Sequence, residues 1–487
     1  MNTTLALSIL LVYFAMLVAV SFLTSRNADT HTFFTANKQS PWYLVAFGMI
    51  GTSLSGVTFI SVPGNVGTGQ FSYFQVVLGY LVGYFVIATV LMPMYYRLNL
   101  ISIYTYLEKR FGFWSYKTGA GFFLLARTVG SAGRVFVAVQ VLQLAIFDAL
   151  GGPVEATGVI AIALIWIYTF KGGVKTIIVT DTLQTVFLVT AVFLTVYLIG
   201  QKLGFSGGDL WRTVTESSYS RIFVWDWAPK NNFFKDFISG AFIAIVMTGL
   251  DQDLMQKNLT CKSIGEAQKN MFWFSVVLVV VNFAFLSLGA LLYIYANQTG
   301  LPIPARTDDL YPMLALGNQF GLVAAVTFLL GITAATYASS DSALTALTTS
   351  FCIDFLNIEK YPEAKRQRMK TIVHLMFSGL FLIVIILFRQ LNNQAMIRTI
   401  FDLAGYTYGP LLGLYAFGLY TRRAVVDRYV PLLCLVSPLL TYFVVVNAPD
   451  WFGYTFGFEK LLLNGLLTFV GLWAVSKKVG VGEGVGV

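Results

Sequence analysis

Residues 51–56 read Gly51-Thr52-Ser53-Leu54-Ser55-Gly56, and they fall in the middle of an apolar run extending from residue 42 to residue 69. Glycine loses more backbone freedom on folding than any other residue, and serine and threonine hydroxyls compete for nearby backbone groups, so this stretch forms helix poorly. The run around it is nevertheless long enough to cross a hydrocarbon core of roughly 30 Å. The expectation is a membrane span broken at mid-depth. A second interruption, Met247-Thr248-Gly249-Leu250-Asp251-Gln252-Asp253, lies in the second half of the run from 236 to 256.

Counted as the first and sixth helices of a ten-helix unit, the two interrupted runs occupy corresponding places in two five-helix halves. That is the inverted-repeat pattern of many secondary transporters, in which half-helix ends and unwound carbonyls build a binding site near the midplane. A small-residue face for helix packing is the competing explanation for either interruption taken alone.

The remaining sequence makes the bilayer the solvent. Of 487 residues, 57% are hydrophobic and 11% are charged, against roughly 25% charged residues in soluble domains. Apolar runs and charged breaks predict an all-α polytopic membrane protein of about thirteen transmembrane helices, near 5–24, 42–69, 73–96, 119–147, 154–170, 175–200, 236–256, 271–296, 319–352, 370–388, 398–420, 429–447 and 461–476. Lysine and arginine collect in alternate connections, among them the clusters Lys257, Lys262, Lys269 and Lys360, Lys365, Arg366. The positive-inside rule makes these cytoplasmic, with the N-terminus outside and the C-terminus inside. The net charge of +9 is distributed between spans, without the aromatic-interleaved basic surface of a nucleic-acid binder. The first run lacks a basic leader and a clear cleavage site, so it is expected to remain as a span. Cys261, Cys352 and Cys434 have no metal-ligand spacing and are expected to be packed free thiols.

The expected organisation is a first transmembrane helix and cytoplasmic loop (1–40), a first five-helix repeat (41–200), an external loop (201–235), a second repeat (236–421), two additional helices (422–479) and a disordered glycine-valine tail (480–487).

Ionisable residues at membrane depth are functional hypotheses by default. Asp181 follows Thr180 early in the sixth span, where a helix N-cap is the alternative role. Asp341 lies in the ninth, within Ala335-Thr336-Tyr337-Ala338-Ser339-Ser340-Asp341-Ser342. At helical spacing Ala335, Ala338, Ser339 and Ser342 share a face, and Asp341 adjoins it. Carbonyls, hydroxyls and a carboxylate are hard oxygen donors suited to a small hard cation, so this face with Asp181 nearby is expected to bind sodium. Arg134, among Gly130, Ser131, Ala132 and Gly133, presents a fork that fits either a substrate carboxylate or a buried acid such as Asp341. Arg127 is expected to snorkel to the cytoplasmic interface. His31 reads as a loop residue and His374 as part of the first turn of a span, neither with a metal-ligand partner. No serine-histidine-acid arrangement is present, which argues against an enzyme.

At these residues the chain resembles the sodium:solute symporter family. Lys171-Gly172-Gly173-Val174-Lys175-Thr176-Ile177-Ile178-Val179-Thr180-Asp181-Thr182-Leu183-Gln184 is similar to the family's Gly-Gly, Thr-Asp, Gln signature. Further matches are Ser53-Leu54-Ser55-Gly56-Val57-Thr58-Phe59, the stretch from Ile103 to Gly112, and Asp251-Gln252 through Gln256-Lys257 to Lys262-Ser263. The resemblance runs from about Phe33 to Thr421 and implies a LeuT-like inverted repeat of five plus five helices, with one helix before and two after. It implies a principal sodium site at Gly51 and Leu54 with Ala335, Ala338 and Ser339, although a hydroxyl is usual where this chain has Ala338. A second sodium site, as in bacterial sialic acid carriers, would use Asp181, Asp341 and Ser342, and substrate contacts would fall at Ser55, Thr58 and Arg134. Sodium is then the coupling ion, with no organic cofactor. The partners implied are a small-molecule solute and the lipid bilayer, a bacterial inner membrane, with no nucleic acid and no required oligomer. The arginine tilts the solute toward a small organic anion such as a sugar acid or sialic acid; a sugar or amino-acid symporter, or a solute sensor on the same fold, are the alternatives.

Overall fold

The computed structural model describes residues 3–26, 29–170, 172–391 and 396–477. The expected disordered tail and Lys171 of the signature lie outside these. Among the described residues the chain is almost entirely helical, and its longest extended element is the two-residue antiparallel pairing of Ala424–Val425 with Ser476–Lys477.

Helix α1 (Thr3–Thr24) precedes two bent pairs and a set of long apolar helices. The first pair is α2 (Trp42–Ser53) and α3 (Gly56–Gly69), which meet at 57°. Then follow α4 (Tyr73–Arg97), α5 (Phe113–Phe147), α6 (Val154–Thr169) and α7 (Gly173–Lys202). The second pair is α8 (Phe233–Gly249) and α9 (Gln252–Asn258), bent by 69°. After it come α10 (Ile264–Thr299), α11 (Gly321–Phe355), α12 (Glu363–Leu391), α13 (Met396–Thr407), α14 (Gly409–Tyr420), α15 (Val430–Phe452) and α16 (Lys460–Ala474). Among the described residues, eight helices are long and apolar enough to cross a membrane, or up to ten when each bent pair is one span. The shorter apolar helices α6, α14 and α16 fall where the sequence predicts further spans.

Several boundaries differ from expectation for one reason. Helices continue past the apolar run into polar terminal turns: the run expected from 119 begins at Phe113, that ending at 352 reaches Phe355, and that beginning at 370 starts at Glu363. The run over 398–420 is divided at Tyr408, just before Pro410 in the first turn of α14, where a missing N–H is tolerated. The loop over 201–235 carries its own helix, Gly207–Glu216, closed by a reciprocal Ser206–Asp209 capping box.

Helix α7 packs on both α2 and α11, and α8 packs on α4. A Cβ on Gly79 would stand 2.1 Å from the Phe237 carbonyl oxygen, and one on Gly240 would stand 2.1 Å from that of Val76. Helices α4 and α8 thus cross backbone to backbone, as small residues permit in membranes. Leu11, Phe85, Leu439 and Phe443 are exposed on the outside, where lipid replaces water.

Both predicted interruptions are real. At the first, helical bonding stops with Leu54 N–H donating to the Ile50 carbonyl and resumes with Phe59 N–H donating to that of Ser55. The intervening carbonyls of Gly51, Thr52, Ser53 and Leu54 receive no helical amide among the described residues. At the second, a π turn over Ile245–Gly249 leads into the break, and Asp251 caps α9 by accepting from the Asp253 amide at 2.9 Å.

Candidate solute and cation sites

A cavity of about 90 Å³ opens beside the first break. Ser55 and Thr58 from the break and α3, Tyr73 and Tyr80 from α4, Asn282 from α10 and Arg134 from α5 line it. The substrate-site residues expected from sequence, Ser55, Thr58 and Arg134, are therefore brought together. A larger cavity of about 330 Å³ lies next to it, and Tyr73 and Phe401 line both. The Tyr73 hydroxyl lies 3.2 Å from that of Tyr80, so this pair and Phe401 stand at the boundary between the two chambers.

The two arginines of α5 behave differently. Arg127 is buried, its guanidinium paired with Asp253 and 3.7 Å from the Asp251 carboxylate. The expectation of a snorkelling arginine is wrong: both acids come from the second break, more than a hundred residues away in sequence, and they hold the side chain inside. Asp251 also accepts from the Tyr408 hydroxyl. Arg134, two turns further along the helix, has no ion pair or hydrogen bond among the described residues, and its alternative partner Asp341 instead accepts from Tyr168 at 2.7 Å. A fork unmatched by protein acids, facing a hydroxyl-lined cavity, suits a carboxylate.

The residues expected to hold the first cation belong to α2, the break after it, and α11. Gly51 lies against α11 and α7: a Cβ there would stand 2.4 Å from Thr185 Oγ1, 3.2 Å from the Asp181 carbonyl oxygen and 3.5 Å from Ala338 Cβ. The backbone of Gly51, whose carbonyl receives no helical amide among the described residues, thus sits by Ala338 on α11. The Ser339 hydroxyl donates to the Thr336 carbonyl at 3.0 Å, which leaves its oxygen lone pairs available to an ion.

The second set assembles only in part. Asp181 and Asp341 are both fully buried and within electrostatic reach of each other. Ser342 does not join them, because its hydroxyl donates to Asp253 on the other side of α11. The place beside Asp181 is taken by Lys257, whose ammonium donates to the Asp181 carboxylate and to the Thr52 hydroxyl, while Thr52 itself donates to Asp181 at 2.9 Å. Sequence reading assigns Lys257 to a cytoplasmic loop cluster, yet it is 1% exposed on α9. Asp181 is not an N-cap either: it lies within α7, beyond its first turn. His374 corrects similarly. It sits well inside α12, buried, with Thr169 at 3.0 Å and Thr348 at 2.9 Å on its two ring nitrogens, and His31 belongs to the short helix Thr30–Thr35.

This constellation of a broken helix, a small-residue face and buried acids accompanies a match between residues 33–426 and the family model "Sodium:solute symporter family". The chain belongs to that family. It is a sodium-coupled symporter, a multi-pass membrane transporter of small solutes. Among similar proteins, the sodium/sialic acid symporter NanT of Aliivibrio fischeri is 25% identical over 483 residues, covering 94% of this chain and 92% of its own. The sodium/sialic acid symporter SiaT of Proteus mirabilis is 25% identical over 427 residues, covering 84% and 83%. The solved outward-open, substrate-bound structure of a Na+-coupled sialic acid symporter superposes with a TM-score of 0.81 at 19% identity, covering 97% of this chain and 99% of that one. That superposition establishes the symporter's fold as the LeuT-like one. Two groups went unforeseen in this symporter, the Arg127–Asp251–Asp253 cluster and the Lys257–Asp181 pair. Asp251 and Asp253 in the second interruption were the available signal, since acids at membrane depth require cationic partners.

Proposed function

We propose that this symporter imports a small organic anion, of the sugar-acid or sialic-acid kind, with its carboxylate on Arg134 and its hydroxyls on Ser55 and Thr58. The observation that carries this reading is the unpaired Arg134 guanidinium in the cavity. Both similar bacterial symporters carry sialic acid in their names, which supports the same class. The cavity of about 90 Å³ suits a short sugar acid, and a bulkier one extends past Tyr73 and Phe401 into the adjoining chamber.

The cavity's charges support the coupling. Arg127 pairs with Asp253 and lies near Asp251, and Arg134 lines the same cavity, so the charges of these four groups sum to zero before a solute arrives. An arriving anion adds one negative charge, and a sodium ion at Gly51, Leu54, Ala335, Ala338 and Ser339 restores neutrality where charge is expensive. Each ligand therefore raises the other's affinity. Rocking of the two repeats about this site exposes both to the cytoplasm. Two sodium ions with one anion move one net charge, worth about 2.3 kcal/mol per ~100 mV, or roughly fortyfold accumulation.

The same reading takes the chain as thirteen spans in a bacterial inner membrane, N-terminus outside and C-terminus inside. Its repeats occupy 41–200 and 236–421, and the whole solute path lies within one chain. Uptake into proteoliposomes of a sugar acid and of its neutral amide, with an inward sodium or potassium gradient, tests it. The acid should enter with sodium alone and the amide should not. Equal uptake of the two solutes removes the anion reading, and Arg134→Ala should abolish the preference.

A further inference from the structure

Pro410 has no N–H to give the Tyr406 carbonyl four residues before it. Across the break between α13 and α14 the Gly405 carbonyl receives no backbone amide either, among the described residues. Buried carbonyls left in this way require another donor. Asn464 of α16 supplies it to both. Its Nδ2 donates to the Gly405 carbonyl at 3.0 Å and to the Tyr406 carbonyl at 2.9 Å, and its Oδ1 accepts from the Ser437 hydroxyl of α15 at 2.6 Å. Asn464 is fully buried, and a Cβ on Gly409 would stand 2.3 Å from its Nδ2, so the glycine makes room for the amide.

One turn earlier on α16, the Lys460 ammonium donates to Asp402, which is itself one turn before Gly405 and Tyr406 on α13. Side chains four apart on α16 thus reach groups three and four apart on α13, a contact at two levels down one face of each helix. One contact point would let α13 swivel. Two fix its angle.

That angle matters to the solute. Among the described residues, backbone bonding crosses the break only through Tyr408, which donates to Ala404 and accepts from Leu412, so the backbone alone holds α13 weakly. Ile400 and Phe401 of α13 line the cavity beside the first break, and Phe401 also lines the larger chamber, where Asp402 and Lys460 form part of the wall. A tilt of α13 therefore moves Phe401 out of the boundary between the chambers.

We propose that Lys460 and Asn464 are positioning residues for solute binding: they clasp α13 at the angle that keeps Phe401 between the two chambers. The last two helices, which lie outside the ten-helix repeat, thereby help to close the solute's cavity. This rests on that cavity being the solute's site and is independent of which solute enters it.

Ser55 lines the smaller cavity and not the larger chamber. The rate at which a Ser55→Cys thiol reacts with a charged, water-soluble methanethiosulfonate therefore reports passage beyond Phe401. In the purified full-length protein, with sodium and without solute, Asn464→Leu and Lys460→Met should each speed that reaction by about tenfold or more. Lys460→Arg should leave it slow, and exchanging the charges with Asp402→Lys and Lys460→Asp in one chain should make it slow again. The native thiols Cys261 and Cys352, both buried, should stay unreactive in every variant. Lys460→Met decides the matter alone if Asn464→Leu does not fold. Equal Ser55→Cys rates with and without Lys460→Met would overturn the proposal. So would a rise in which Cys261 and Cys352 take part, because a bond of purely structural value loosens the whole fold. The reaction is read without solute, so the clasp stands or falls separately from the anion reading.

Discussion

The two breaks occupy matching positions in the two halves of the fold, yet their backbones are treated in opposite ways. At the second, the Gly249 carbonyl accepts from the Tyr95 hydroxyl at 2.9 Å, and that of Leu250 accepts from Tyr104 at 3.0 Å. Gln252 reaches across as well, accepting from the Ile103 amide at 3.0 Å and donating to the Ile101 carbonyl at 2.8 Å. At the first, the carbonyls from Gly51 to Leu54 receive no such partner among the described residues. Unsatisfied backbone at membrane depth is tolerated only where it lines a cavity or meets a ligand. One break is a joint closed by the protein itself. The other, under the proposed function, is closed by an ion and a solute.

The largest consequence lies at the closed joint. Arg127→Leu leaves Asp251 and Asp253 buried without their cation, and removing one partner of a buried pair costs about 3–5 kcal/mol. Unfolding in mixed micelles should show this loss whether sodium is present or absent. A loss that sodium repairs would mean that the second break also binds an ion, and the contrast would fall.

Gly51→Ala acts at the open break. Its Cβ would meet Thr185 Oγ1 at 2.4 Å and the backbone oxygen of Asp181 at 3.2 Å. Overpacking of this kind costs about 1–3 kcal/mol. Because the clash falls among the ion's expected ligands, sodium-stimulated uptake should drop further than stability does. Thr185→Ala in the same chain removes the nearest atom and should recover part of that uptake. Uptake unaffected by Gly51→Ala would mean that the carbonyls there are not part of the ion path.

How much of this contrast is legible in the sequence follows from the range of each interaction. The breaks are local: glycines and hydroxylic residues within one run announce them, and the structure bends at both. Of the pocket residues, Arg134 is legible because its charge stands out among small residues, whereas Ser55 and Thr58 are reached only through the family resemblance. Partnerships across the fold are not. Lys257 looks like any lysine between two apolar runs until α9 is seen to fold inward and deliver it to Asp181. Arg127 resembles an interfacial anchor because Asp253, its partner, is encoded 126 residues away. Ser342 shares a helix face with Ser339, but side-chain direction is decided by the neighbour it finds, here Asp253.

Tyr104→Phe sharpens the comparison from the other side. It removes the donor to Leu250 and should lower stability by about 1 kcal/mol, the net worth of one hydrogen bond. The sodium count per transported solute, read from reversal potentials, should stay the same, since that carbonyl is held by the protein in every state that keeps the joint closed. A changed count would mean that the second break opens during the cycle.

Ser339→Ala should have the smallest effect, and its size reports how far the first break relies on backbone alone. With Ala338 beside it, Ser339 is the one hydroxyl among the proposed ligands of that site, so its loss leaves carbonyl oxygens to hold the ion. Its hydroxyl donates to the Thr336 carbonyl at 3.0 Å, a bond compatible with offering its lone pairs to the ion. Its loss removes one oxygen donor among several, and the sodium concentration for half-maximal uptake should rise by roughly fivefold, about 1 kcal/mol. A rise of a hundredfold or more would mean that the carbonyls of Gly51 and Leu54 contribute little. The open break would then be a hinge next to the ion rather than its cradle.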